Sequence, residues 1–178
     1  MTTEEVATAL REKLFAEEAL NLYAVLDGAS VPKLLEKLYG LEPEYSCLYR
    51  GELSPDLESV APHLVRLDPD AEFTYWLTEE GWGEHWGVFA SADADLLTVR
   101  RHFRNLLRVY DSNNQPLVFR YYDPRVLRVF LPTCNADELA AMFGPVASYL
   151  LEDESGALLR FNFEGGQLQK SRKVLEGA

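Results

Sequence analysis

Cysteine and histidine are scarce in this chain: two cysteines, Cys47 and Cys134, and three histidines, His63, His85 and His102. Two distant thiols build no disulfide framework, and none of these residues stands at metal-ligand spacing from another, so no metal or cofactor is expected. No apolar run approaches the roughly 20 residues that span a bilayer, which leaves no membrane role to predict. The first residues, Met-Thr-Thr-Glu-Glu, are acidic and lack a basic n-region followed by an apolar h-region. That start predicts no secretory leader and, with the thiols, a cytoplasmic location. The Gly-x-Ser-x-Gly elbow, His-Glu-x-x-His and Cys-x-x-Cys are all missing. Basic residues are also few, 17 against 29 acidic, and the net charge of −12 argues against a nucleic-acid partner.

Apolar residues are plentiful. With 178 residues, 47% of them hydrophobic and 12% aromatic, the chain can bury a full core as a single domain spanning 1–178. Its charge is uneven. Residues 1–96 carry 20 acidic and 6 basic side chains (−14), residues 97–130 carry 7 arginines against Asp111 and Asp123 (+5), and residues 131–178 carry 7 acidic and 4 basic (−3). A basic island in an acidic chain needs internal acidic partners or an acidic protein partner.

Periodicity outlines the elements. Val6, Leu10 and Leu14 predict a first helix, with Thr2 and Glu5 as a capping box. The nearly continuous apolar run Leu20–Leu26, ending at Asp27-Gly28, predicts a strand buried on both faces. A short helix over Pro32–Leu38 and a strand over Tyr45–Tyr49 follow, then a capped helix within Ser54–Pro62 and a strand over His63–Leu67. Next come a helix over Glu72–Glu80 that stops at Gly81, and a strand at Val88–Ala90. Asp93–Val109 reads as a long helix with Leu96, Val99, Phe103, Leu106 and Leu107 on its buried face. Asn135 and Glu138 cap another helix, and Val146–Leu151 with Leu158–Phe163 predict a hairpin. The polar residues after Gly165-Gly166 favour no element. The alternation predicts an α/β domain, with α+β as its variant: a mixed sheet flanked by helices, antiparallel at its C-terminal end.

Residues 117–132 read as a core strand running directly into a helix. Asp123 suits the N-cap, Pro124 the first helical position, and Pro132 the stop. Leu127, Phe130 and Leu131 would face inward and Arg125 and Arg128 outward, so the stretch reads as a site or as an arginine-laced scaffold.

Three glycines in Gly81-Trp-Gly-Glu-His-Trp-Gly87 suggest a phosphate loop, but a helix precedes and a strand follows, the reverse of that motif. Asp27 at a strand end and His85 between tryptophans are the groups an enzyme could use. A turn residue and a packed histidine are the commoner readings. Arg100, Arg104 and Arg108, with Arg101 beside them, form a stripe at four-residue spacing. Such stripes are mostly solvated or internally paired, and a partner surface is the alternative. Trp82, Trp86, Tyr121 and Tyr122 are expected at least partly in the core; aromatics together with arginine are nevertheless the composition of interface hot spots, which places an acidic binding domain slightly ahead of an enzyme.

Several segments carry a family resemblance: Tyr23-Ala-Val-Leu-Asp-Gly-Ala29, Cys47-Leu-Tyr-Arg-Gly51, Ala61-Pro-His-Leu-Val65, Gly81–Gly87, the helix Leu97–Val109, Phe119-Arg-Tyr-Tyr-Asp-Pro-Arg-Val-Leu127 and Phe143-Gly-Pro-Val146. In this order they resemble the DUF4123 family over roughly residues 20–150. That resemblance implies an adaptor chaperone of the bacterial type VI secretion system, which binds a toxic effector and helps load it on the VgrG spike, without cofactor or turnover. It implies no catalytic residues. Candidate partner-facing residues are Arg100, Arg101, Arg104, Arg108, Trp82, Trp86, Tyr122 and Arg125. Asp27, Arg120, Tyr121, Asp123 and Pro124 are candidate scaffold residues. The alternatives are a small hydrolase or transferase using Asp27, His85 and Arg125, or an immunity protein that binds a toxin.

Overall fold

The computed structural model describes residues 2–175; residue 1 and residues 176–178, the end of the polar tail, lie outside the described residues. The elements run α1 (Thr3–Leu14), β1 (Asn21–Asp27), α2 (Leu34–Leu41), β2 (Tyr45–Cys47), α3 (Pro55–Val60) and β3 (Pro62–Leu67). They continue with α4 (Glu72–Glu80), β4 (Gly87–Ala92), α5 (Leu96–Leu106), β5 (Arg108–Tyr110), β6 (Pro116–Val118) and α6 (Pro124–Phe130). A 3-10 turn at Leu131–Thr133 leads to α7 (Ala136–Phe143), β7 (Val146–Glu152), β8 (Leu158–Glu164) and β9 (Gln167–Lys173). Local chemistry sets many boundaries. Thr2 with Glu5 and Asn135 with Glu138 form capping boxes at α1 and α7, while Ser54, Asp95 and Asp123 cap α3, α5 and α6.

Seven strands make one sheet in the order β2-β3-β1-β4-β7-β8-β9, and β5 with β6 forms a separate hairpin. Helices and strands combine as expected, in the α+β form: every pairing among the described residues is antiparallel, where a mixed sheet was expected. The reason is topological. β3, α4 and β4 do form a strand–helix–strand unit with parallel strands, but β1 lies between β3 and β4 and pairs antiparallel with both.

The sheet separates two apolar cores. On β1, Tyr23 and Val25 face a core completed by Val99 and Phe103 of α5, Leu127 of α6, and Leu139 and Phe143 of α7. Leu22, Ala24 and Leu26 face the opposite core, with Leu10 and Leu14 of α1, Leu34 and Leu38 of α2, and Phe73, Trp76 and Leu77 of α4. Alternation of period two on a strand covered by helices on both faces produces the apolar run Leu22–Leu26.

Two sequence expectations are corrected. The helix expected to reach Val109 ends at Leu106, because residues 108–110 pair with 116–118 around an Asp111–Asn114 turn. The core strand expected over 117–122 is only the exposed Pro116–Val118 segment. Residues 119–122 are not strand, and Tyr121 and Tyr122 are both buried rather than alternating. The polar tail supplies β9, paired along its length with β8.

Candidate protein-binding surface

The end of the sheet where β1 and β7 finish and β4 begins gathers three buried carboxylates: Asp27 at 2% exposure, Asp123 at 6% and Glu152 at 3%. Each is met by a more exposed base. Asp27 accepts from Ala29 N–H at 3.0 Å and Ser30 Oγ at 2.8 Å, and pairs with Arg120. Asp123 accepts from Arg125 N–H at 2.9 Å and forms a two-pronged pair with its guanidinium, Nε at 3.0 Å and a terminal nitrogen at 2.8 Å. Burial alone would raise the Asp123 carboxyl; the hydrogen bonds from Arg125 outweigh it and hold the group below its ordinary value. Glu152 accepts from Gly83 N–H and His85 N–H and pairs with the His85 ring. It thereby holds His85 at φ 60°, a left-handed conformation uncommon outside glycine.

Asp27 is bonded to Arg120, Asp123 to Arg125 and Glu152 to His85, so each of Asp27, His85 and Arg125 takes its ion-pair partner from outside that trio. The cavity against Trp82, Trp86 and Glu152 measures about 10 Å³. His63 donates from Nδ1 to the Ala61 carbonyl at 2.9 Å and His102 from Nε2 to the Met142 carbonyl at 2.9 Å; burial lowers both rings, which favours their neutral forms. Among the described residues no three His, Cys, Asp or Glu side chains converge as a metal site.

Of the residues expected to face a partner, Trp86 and Tyr122 are buried, while Arg125 is exposed and ion-paired. Trp86 is buried against Trp76, with ring centroids 5.2 Å apart. Tyr122 is buried beside Tyr121, and burial, with Tyr49 and Asp27 nearby, pushes its phenol up to about 12. Arg125 is exposed but clamps its own helix cap. Trp82 is half-buried and donates to the Gly156 carbonyl at 2.9 Å. Tyr121 is fully buried, and its hydroxyl donates to the Phe103 carbonyl at 2.9 Å. Pro124 is buried at the first position of α6.

The α5 arginines behave differently. Val99, Phe103 and Leu107 form the buried stripe, and Arg100, Arg104 and Arg108 follow each by one residue. One residue is about 100° of rotation on a helix, so Arg100 and Arg104 flank the core and lay their stems along it. Arg104 donates to the Cys47 carbonyl at 2.8 Å, and Arg100 reaches Ser46 Oγ at 3.4 Å. The Nε atoms of both are buried without a hydrogen-bond partner among the described residues. Arg108 leaves the helix and stands exposed on β5, and Arg101 is exposed on α5.

Seven of the twelve arginines form ion pairs: Arg11, Arg66, Arg120, Arg125, Arg128, Arg160 and Arg172. The five that meet no carboxylate among the described residues are Arg50, Arg100, Arg101, Arg104 and Arg108, all on α5, at the start of β5 and in the facing loop. Arg104 is pulled below its ordinary value, first by burial and then by the Arg100 and Arg50 charges. Arg50, Arg104 and Arg108 line a groove of about 300 Å³ with Leu48, Tyr49, Leu53, Leu57, Leu107 and Val118. Its apolar wall is open to solvent: Leu57 is 44% and Val118 61% exposed.

The family model for DUF4123, described as a domain of unknown function, matches residues 22–141. The chain belongs to the DUF4123 family. No curated protein and no solved structure matches it. The DUF4123 match runs from β1 through most of α7. It includes the groove, the Asp27–Arg120 pair and the Asp123 cap, and it stops short of the β7–β9 meander that supplies Glu152. Sequence reading missed Glu152 and Arg50. Glu152 closes an apolar strand, where a lone carboxylate is a signal of a buried bond. Arg50 is placed beside α5 only by the fold.

Proposed function

We propose that this DUF4123 protein is a non-catalytic, cytoplasmic adaptor. It binds a type VI secretion effector and helps load it on the VgrG spike. The observation that carries this reading is the groove beside α5, where cations that meet no carboxylate among the described residues surround exposed apolar side chains in a chain of net charge −12. Arginine next to desolvated apolar surface is a composition of protein contact sites. The carboxylates at the sheet end, in contrast, are consumed by internal bonds. Deleting the gene and measuring delivery of the effector encoded beside it tests the reading. Loss of delivery, restored by the native chain, is expected; undiminished delivery would refute it. An immunity protein would instead inhibit the isolated toxin domain.

A further inference from the structure

We infer that the groove beside α5 takes a short acidic amphipathic segment of the partner, with two or three apolar side chains on its floor and carboxylates on Arg50, Arg104 and Arg108. This deepens the adaptor reading and rests on it. The floor is Leu48 and Leu107, both buried at its base, and the walls are Leu53, Leu57 and Val118. A volume of about 300 Å³ admits a few side chains rather than a folded domain and lies at the small end of the roughly 300–1,000 Å³ typical of ligand sites.

Charge selects the occupant. The three lining arginines have no carboxylate within ion-pair distance among the described residues, although Glu52, Asp56 and Glu58 belong to the wall segment that carries Leu53 and Leu57. Among the described residues the Arg50 guanidinium reaches only Asn105 Oδ1, at 3.5 Å. A carboxylate brought in by a partner would meet guanidinium donors that the fold leaves without an anion, and such charge-assisted bonds are the strong ones. At physiological salt, fields decay over about 8 Å. A short acidic segment therefore meets the groove's cations, whereas a nucleic acid or a second copy also meets the acidic remainder of the molecule.

The test titrates the full chain with a fluorescent synthetic 18-residue peptide carrying leucines at helical spacing flanked by glutamates. Controls are a scrambled peptide of the same composition and a lysine-for-glutamate version. The variants are Arg50→Glu with Arg108→Glu, both exposed, and Leu57→Asp, each checked for an unchanged circular dichroism spectrum. Expected are binding of the acidic peptide that weakens with salt, and a loss of roughly tenfold or more in each variant. The lysine peptide should prefer the charge-reversed variant. The inference is overturned if the acidic peptide binds no better than its scrambled control, or if the variants bind it like the native chain. It is equally overturned if a labelled single-stranded oligonucleotide or a second copy of the chain occupies the groove instead. Failure here while the variants still capture and deliver the effector would spare the adaptor reading. Peptide binding without any delivery defect on deletion would refute the adaptor and leave the groove.

Discussion

Replacing Glu152 with alanine removes the acceptor for two backbone N–H groups at once. One oxygen accepts from Gly83 N–H, and the other from His85 N–H at 3.0 Å and from the His85 ring. A buried donor left without a partner costs about 1–3 kcal/mol. Two such donors, partly relieved by water reaching the loop, cost about 3 kcal/mol. His85 adds little, because its side chain is 36% exposed and its ring can turn to solvent. In a domain of this size about 1 kcal/mol moves Tm by about 2–4 °C, so Glu152→Ala should melt about 6–12 °C below the native chain. Glu152→Gln keeps one acceptor oxygen and should fall between the two. Amide exchange at residues 82–86 should accelerate while α5 keeps its protection, since the loop is held by Glu152 and α5 is not. An alanine variant melting within about 1 °C of native, with unchanged exchange at 82–86, would refute this account of the loop.

Acid should destabilise the chain partly through Asp153. Burial opposes its ionisation, but bonds from Ser155, Arg172 and the Ala157 N–H hold its carboxyl well below the usual range. A depressed folded pKa contributes stability that is present above the unfolded value of about 3.9 and lost below it, so Asp153→Asn should flatten the fall in Tm below about pH 4. Alkali acts with the opposite sign. The Tyr122 phenol, raised by burial to about 12, favours the fold below the unfolded value near 10, and that contribution is lost between about pH 10 and 12. Ultraviolet titration should show Tyr122→Phe removing a phenol that ionises about two units late. Gly28→Ala should cost several kcal/mol or prevent folding, because an added Cβ would collide with the Ser59 and Ala61 carbonyl oxygens, read as loss of soluble protein or a large fall in Tm.

Local signals in the sequence carried far. Capping residues placed α1, α3, α6 and α7, and the nearly continuous apolar run identified β1 as an interior strand, because each depends on nearest neighbours or on burial from both faces. Pairing was not local. A strand–helix–strand pattern is compatible with parallel neighbours or with a third strand between them, and only the whole topology puts β1 there. The 117–122 strand failed because residues 119–122 form a non-strand segment that buries Tyr121 and Tyr122 and delivers Arg120 to Asp27, although their alternation resembles a sheet. Likewise, Val109-Tyr110 and Leu117-Val118 around an Asn-rich turn form a hairpin whose signal the long helical period obscured. For the surface, the arginine stripe was visible, but its lack of counterions among the described residues was not. That depends on where all the carboxylates lie, and a sequence lists charges without distances.

The adaptor account rests on the groove, and the affinity of the purified effector for the native chain against the Arg50→Glu, Arg108→Glu double variant tests it most directly. Both side chains are exposed and neither forms an ion pair among the described residues, so reversal should leave Tm within about 2 °C of native. Calorimetric titration is predicted to give binding weakened by roughly tenfold or more at that unchanged Tm. Equal affinity for both proteins, or a loss of affinity matched by a loss of fold, would contradict the account.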